Sequence, residues 1–171
     1  MRTEPVDRSG PAVPGAHHEH AVARTAVGVA MSTIRTARTH WEGSLTDGHG
    51  AVSLESSNLG AFDLTWRARA EEAGGKTSPE ELIAAAHSGC LSMALSHALT
   101  QAGAPPRSID TSAEVTFQPG TGITGVHLTV RADVPGIAAA DFASVAEKAK
   151  ANCPVSQALA GTKITLDAAL A

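Results

Sequence analysis

Apolar and polar positions alternate almost strictly along two stretches of the chain. Ile109, Thr111, Ala113, Val115 and Phe117 fall on one side, and Val126, Leu128, Val130 and Ala132 repeat the pattern. A period of two is that of a half-buried strand. The joining segment Gln118-Pro119-Gly120-Thr121-Gly122 predicts a hairpin turn. Earlier, Ile34 to Trp41 reads as a strand, followed by a turn at Thr46-Asp47-Gly48. A second strand is expected near Ala51 to Ser56. A third is expected near Phe62 to Arg67, with Phe62, Leu64 and Trp66 on one face.

After Gly74-Gly75 the period lengthens to that of a helix. Ser78 is placed as N-cap, Pro79 takes the first helical position, and Glu81 stands where a capping box needs it. The apolar pattern runs to about Leu99, and Gly103 with Pro105-Pro106 ends it. Ala84, Ala85, Ala86, Gly89 and Ala94 make this helix small-sided. It is expected to be buried on most sides and able to approach another helix closely. A shorter amphipathic helix follows from about Ala139 to Ala151, with Phe142, Val145 and Ala146 on one side. Pro154 starts another helix that ends at Gly161, and a last strand runs from Lys163 to about Leu170. The order βββ-α-ββ-αα-β segregates strands and helices into runs. The expected class is α+β with a largely antiparallel sheet.

Residues 1–30 break this regularity. They hold Pro5, Pro11, Pro14 and the cluster His17-His18-Glu19-His20, with no sustained period. A disordered tail is expected there, and its flanks give the histidines no fixed metal geometry. Patterned sequence begins after Met31, so residues 31–171 are the expected folded domain and Met31 a candidate natural start.

A chain of 171 residues, with 43% apolar and 18% charged residues, fits one domain with a sizeable core. A net charge of −4 leaves no basic footprint for nucleic acid. Neither an apolar run of membrane-spanning length nor a secretory signal stands out, so a cytoplasmic location is expected. In that compartment the two cysteines, Cys90 and Cys153, are not expected to form a structural disulfide. Gly120-Thr121-Gly122-Ile123-Thr124-Gly125 matches a dinucleotide fingerprint by letter. The residues after it alternate as a strand, whereas that fingerprint must open a helix, so a glycine-rich turn is expected.

The cysteines carry the candidate chemistry. Cys90 sits in the middle of the long apolar helix, where a thiol is ordinarily inert unless a cation is near. Arg67 and Arg69 lie shortly upstream, and arginine keeps its charge on burial. Cys153 precedes Pro154 and is the expected N-cap of the following helix, a position that favours the thiolate. Residue types alone leave several readings open. Cys90 can be a small core residue, the pair can be a redox couple or a sensor, and His87 with both cysteines can be an incomplete zinc site.

Longer motifs narrow these readings. Thr77-Ser78-Pro79-Glu80-Glu81-Leu82, running on to His87-Ser88-Gly89-Cys90, together with Asn152-Cys153-Pro154-Val155-Ser156, resembles the OsmC branch of the OsmC/Ohr family. His40-Trp41-Glu42-Gly43 and Ser108-Ile109-Asp110-Thr111 also look like that branch. The resemblance spans roughly residues 31–171. It implies an intertwined α+β homodimer with antiparallel sheets around a long central helix and two sites at the interface. It also implies a thiol peroxidase acting on organic hydroperoxides in oxidative stress. By position, Cys90 corresponds to the peroxidatic cysteine, Cys153 to the resolving cysteine and Glu80 to the site carboxylate. Arg69 fits the site arginine best, with Arg67 as the alternative. The resemblance implies no metal, flavin or haem, and a dithiol reductant such as a lipoylated protein. Helix geometry adds one expectation. Glu80 and Cys90 are ten residues apart on one helix, roughly 15 Å along its axis, so a compact site would draw them from two chains.

Overall fold

The computed structural model describes residues 32–171. The expected tail, its histidine cluster and the candidate start at Met31 lie outside the described residues. The strands are β1 (Arg38–Glu42), β2 (His49–Ser53), β3 (Ala61–Thr65), β4 (Ser108–Gln118), β5 (Gly122–Asp133) and β6 (Ile164–Leu170). The helices are α1 (Trp66–Ala70), α2 (Pro79–Gln101), α3 (Ala139–Asn152) and α4 (Pro154–Ala158). The strands form two three-stranded sheets, β1-β2-β3 and β4-β5-β6, and the long α2 packs on the second. The α+β class expected from the segregated runs is therefore what forms.

The first sheet is an antiparallel meander. Gly50 of β2 lies opposite Trp41 of β1, and a Cβ there would sit 2.9 Å from the Trp41 ring. Glycine lets that ring lie flat on the neighbouring strand. In the second sheet β4 and β5 are the expected hairpin, with a register shift between Thr116 and Phe117. Gly120 (φ +81°) and Gly122 (φ +105°) turn the chain between them, and Gly125 lies within β5. The glycine triplet is thus a hairpin and its flank, not a phosphate-binding turn. β6 joins β5 in parallel, a departure from the antiparallel expectation. The α3 and α4 helices form the crossover that a parallel connection requires.

The core lies between this second sheet and the helices. Leu91, Leu95 and Leu99 form one stripe of α2 at a spacing of four. They meet Val126, Leu128 and Val130 of β5 and Phe142 and Ala146 of α3 in one buried cluster. The helix α2 packs on β4 and α3 on β6, and the two helices touch. By length and composition α2 could cross a membrane, but its leucine stripe is buried as in a core helix.

Two further expectations need correction. The third strand stops at Thr65, so Trp66 and Arg67 belong to α1 and do not continue the strand face. The Thr65 side chain accepts a hydrogen bond from the Ala68 N–H and starts a helical turn. The long helix is also not buried on most sides. Ala85, Ala86, Gly89 and Met93 are exposed in the single chain, because only the stripe through His87 and the three leucines faces the core.

Candidate active site

Site residues come from three places. The first is the junction of α1 and α2. Ser78 caps α2 as expected, accepting from the Glu81 N–H at 3.1 Å, while the Glu81 carboxylate accepts from Thr77 Oγ1. This cap fixes the first turn, where Glu80 is only 6% exposed. A carboxylate that buried needs a partner, and Arg69 supplies it. Arg69 Nη2 donates to Glu80 Oε1 at 2.8 Å, and Nε donates to Oε1 at 3.1 Å and to Oε2 at 3.3 Å. The same guanidinium lies over the Phe117 ring, 4.2 Å from its centre. Trp66 meets Phe117 edge to face at 6.1 Å. Arg69 is thus clamped on two sides at the wall of a cleft of about 480 Å³, lined also by Ala84, Ala113 and Val115. Arg67 points elsewhere. Its side chain is 69% exposed and pairs with Glu71 and Glu72.

The second place is the middle of α2 and the third is the start of α4. Both cysteines are free thiols. Cys90 is half-buried and Cys153 is fully buried. The two thiols are close enough that each influences the other's titration. Burial pushes the Cys90 thiol up; the Val155 N–H opposes this, and the hydrogen bond and charge of Cys153 add to it, so the pKa lies above the ordinary thiol value. Burial also pushes Cys153 up, but hydrogen bonds outweigh it. These come from the Ser156 N–H, Cys90, the Ser156 hydroxyl and the Val155 N–H, and the pKa lies below the ordinary thiol value. The expected helix-dipole effect is replaced by these local donors, because α4 is only five residues long.

His87 completes this second cluster. It is fully buried, and its Nε2 lies 2.8 Å from Ser156 Oγ. Burial lowers its pKa, so the ring is neutral near pH 7. The zinc reading finds no support here: among the described residues no group of three or more His, Cys, Asp or Glu has metal-binding geometry.

The predicted residues therefore assemble as two pairs. Arg69 meets Glu80, and Cys90 meets Cys153. Within one chain the pairs do not meet, and Arg69 is absent from the groups that shift Cys90. Ten residues of α2 separate Glu80 from Cys90. Two participants escaped the sequence reading. Phe117 is far from Arg69 along the chain and carries no local signal. Ser156 stands in the quoted Cys-Pro-Val-Ser motif, yet its bond to His87 spans 69 positions.

A family model described as OsmC-like protein matches residues 72–167. A protein of Escherichia coli (strain K12) named Peroxiredoxin OsmC is 46% identical over 140 residues, covering 80% of this chain and 96% of its own. A Shigella flexneri protein of the same name matches equally. Among solved structures, an OsmC-like protein from Mycoplasma pneumoniae shares the fold with a TM-score of 0.62 at 12% identity, covering 82% of this chain and 99% of its own. An organic hydroperoxide resistance protein OsmC from Legionella pneumophila does so with a TM-score of 0.58 at 24% identity, covering 81% and 99%. With a family model spanning more than half of its length and a relative this similar over four-fifths of it, the chain belongs to the OsmC family.

Proposed function

We propose that this thiol peroxidase reduces organic hydroperoxides to alcohols through Cys90 and recovers through a Cys90–Cys153 disulfide. The peroxidase class rests on 46% identity to a named peroxiredoxin over most of the chain. The observation that carries the finer reading is the meeting of two free thiols of unequal access. Cys90 is half-buried and Cys153 is wholly buried beside it. A peroxide reaches the first, and the second is placed to capture what forms there.

The Cys90 thiolate attacks the distal oxygen of ROOH. The O–O bond breaks, the alkoxide takes a proton and leaves as ROH, and Cys90 becomes a sulfenic acid. Cys153 then attacks the Cys90 sulfur, the S–O bond breaks, and water leaves with the proton that Cys153 gave up. An external dithiol reduces the disulfide by exchange. A lipoyl-type dithiol in the cytoplasm is the reductant expected from the resemblance.

Cys90 needs a cation to offset its raised pKa, and none is among the groups that shift it. We assign that cation to Arg69 of a second copy. The exposed small-sided face of α2, with Ala85, Ala86 and Gly89, gives the close approach this needs. Glu80 then orients Arg69 and Cys90 receives it. Phe117, Val115 and Ala113 give the cleft an apolar wall beside the charged Arg69 and Glu80, which supports an organic hydroperoxide as substrate.

Thiol titration tests the reading. One equivalent of organic hydroperoxide should remove both thiols rapidly, and a dithiol should restore them. Cys90→Ser should abolish turnover, and Cys153→Ser should react once and stall. Full turnover by Cys90→Ser with a dithiol would refute the mechanism.

A further inference from the structure

The segment His40-Trp41-Glu42-Gly43 takes no part in the chemistry above, yet its tryptophan is held in place by three restraints. Trp41 Nε1 donates to the Gly43 carbonyl at 3.2 Å. Gly50, opposite it on β2, leaves room for the ring, and Gly48 does so at the indole nitrogen, where a Cβ would stand 2.9 Å away. A side chain at either glycine would push the ring off the hairpin. Trp41 nevertheless stays 37% exposed. An aromatic surface that is fixed and left uncovered is ready-made contact area for an apolar group.

That surface forms one wall of a small pocket of about 150 Å³, with Leu45, Leu64, Trp66 and Pro79 supplying most of the rest. An apolar cavity of about 150 Å³ takes up a benzene ring. Leu45, on the loop after β1, is 59% exposed, so its side chain is available to a ligand. The one charged residue lining the pocket is Arg69, and it alone also lines the 480 Å³ cleft. Its Nε and Nη2 are taken by Glu80. Nη1 makes no hydrogen bond among the described residues, which leaves its N–H donors for an oxygen. A hydrocarbon body gains less on the other side of Arg69, where Glu71, Lys76 and Glu81 also line the cleft. An apolar pocket with one guanidinium at its edge suits a molecule with a hydrocarbon body and an oxygen head.

We propose that this pocket is the subsite for the hydrocarbon part of the hydroperoxide. Trp41 and Leu45 set its size, and the peroxide oxygens lie at Arg69. The proposal rests on the reading of the protein as a reductase of organic hydroperoxides, and it narrows the substrate class. Compact aryl or branched hydroperoxides fill the pocket, whereas a long unbranched chain cannot be buried in it. Hydrogen peroxide has nothing to place there. No bond changes at this subsite: the O–O bond breaks at Cys90 as written above, and the alcohol then withdraws from the pocket.

Binding can be read apart from turnover. Trp41 and Trp66 are the only two tryptophans of the chain. Full-length Cys90→Ser protein is titrated with 2-phenyl-2-propanol, the alcohol formed from cumene hydroperoxide, and tryptophan fluorescence is followed. A saturable change is expected, and adding Leu45→Ala should weaken the affinity by about tenfold, the scale for losing one leucine contact. In the active protein, Leu45→Ala and Trp41→Phe should raise KM for cumene hydroperoxide more than they lower kcat. The ratio of kcat/KM for cumene hydroperoxide to that for hydrogen peroxide should fall by about tenfold in Leu45→Ala. Leu45→Phe narrows the pocket and should shift preference from cumene hydroperoxide to tert-butyl hydroperoxide. No saturable fluorescence change, or an affinity indifferent to Leu45→Ala, would overturn the proposal, as it would if a second copy of the chain filled the pocket. Equal losses with cumene hydroperoxide and hydrogen peroxide would overturn it too, because a merely structural role predicts them. Wild-type protein that reduces hydrogen peroxide as readily as cumene hydroperoxide would instead refute the reading of the function, and the titration would still decide the subsite.

Discussion

Arg69 and Arg67 are two residues apart and have opposite surroundings. Arg69 is fixed by Glu80 and by the face of Phe117. Arg67 is on the surface, held by Glu71 and Glu72, whose pairing contributes little in water. Only the first is oriented well enough to serve a reacting sulfur and a developing oxyanion. Arg69→Ala should therefore raise the Cys90 pKa and slow peroxide reduction by roughly 10²-fold, the scale for losing one preorganised donor at a developing anion. Arg67→Ala should react within about twofold of wild type, since it loses only exposed ion pairs. Stopped-flow rates with one hydroperoxide over a range of pH decide this, and the reverse ranking would move the role to Arg67. At this scale the sequence was informative about which residue types matter. Motif order proposes both cysteines, the carboxylate and the preferred arginine, and the structure pairs Arg69 with Glu80. Ser156, His87 and Phe117 could not be given partners, because their contacts join positions far apart in the chain.

At the scale of elements, α2 was the most legible because its start is written in local chemistry. Ser78, Pro79 and Glu81 specify the first turn whatever surrounds it, and the Ser78 cap forms as the pattern requires. That cap also sets the azimuth at which Glu80 meets Arg69. Ser78→Ala should cost about 1 kcal/mol of stability in chemical denaturation, the usual cost of a lost side-chain cap. It should also loosen Glu80 and so reduce peroxide reactivity. An unchanged denaturation midpoint would show that Pro79 and tertiary packing alone hold the first turn. The alternating strands β4 and β5 were equally readable, since one face of each is buried. The segment after β3 was misread for a physical reason. Phe62, Leu64 and Trp66 continue a period of two, but Thr65 caps a turn whose alanines and Arg67–Glu71 pair favour helix. Local capping overrode the alternation. The parallel docking of β6 was hidden as well, because it depends on where α3 and α4 return the chain.

At the scale of the whole molecule, the described residues hold both halves of the candidate site apart. Glu80 and Arg69 stand at the start of α2, and Cys90 with Cys153 at its middle, roughly 15 Å away along the axis. Yet no cation is among the groups that shift the Cys90 pKa. Two α2 helices packed antiparallel about a two-fold axis bring the start of one to the middle of the other. The exposed Ala85, Ala86 and Gly89 keep their separation small, and Met93 would be covered in the same contact. Such a dimer has two equivalent sites, each with Glu80 and Arg69 from one copy and both cysteines from the other. The consequence is complementation. Glu80→Ala and Cys90→Ser should each be nearly inactive alone. Mixed under subunit exchange, they form heterodimers in which one site carries both substitutions and the other carries neither. At equal concentrations half of the dimers are heterodimers, each with one intact site of two, so about a quarter of wild-type turnover should return, by the symmetry of a two-fold assembly. Native mass spectrometry would establish the heterodimer fraction alongside the peroxidase assay. No recovery from proven heterodimers would put Glu80 and Cys90 of each site in one chain, and α2 would then have to bend at Gly89 for Arg69 to reach the sulfur.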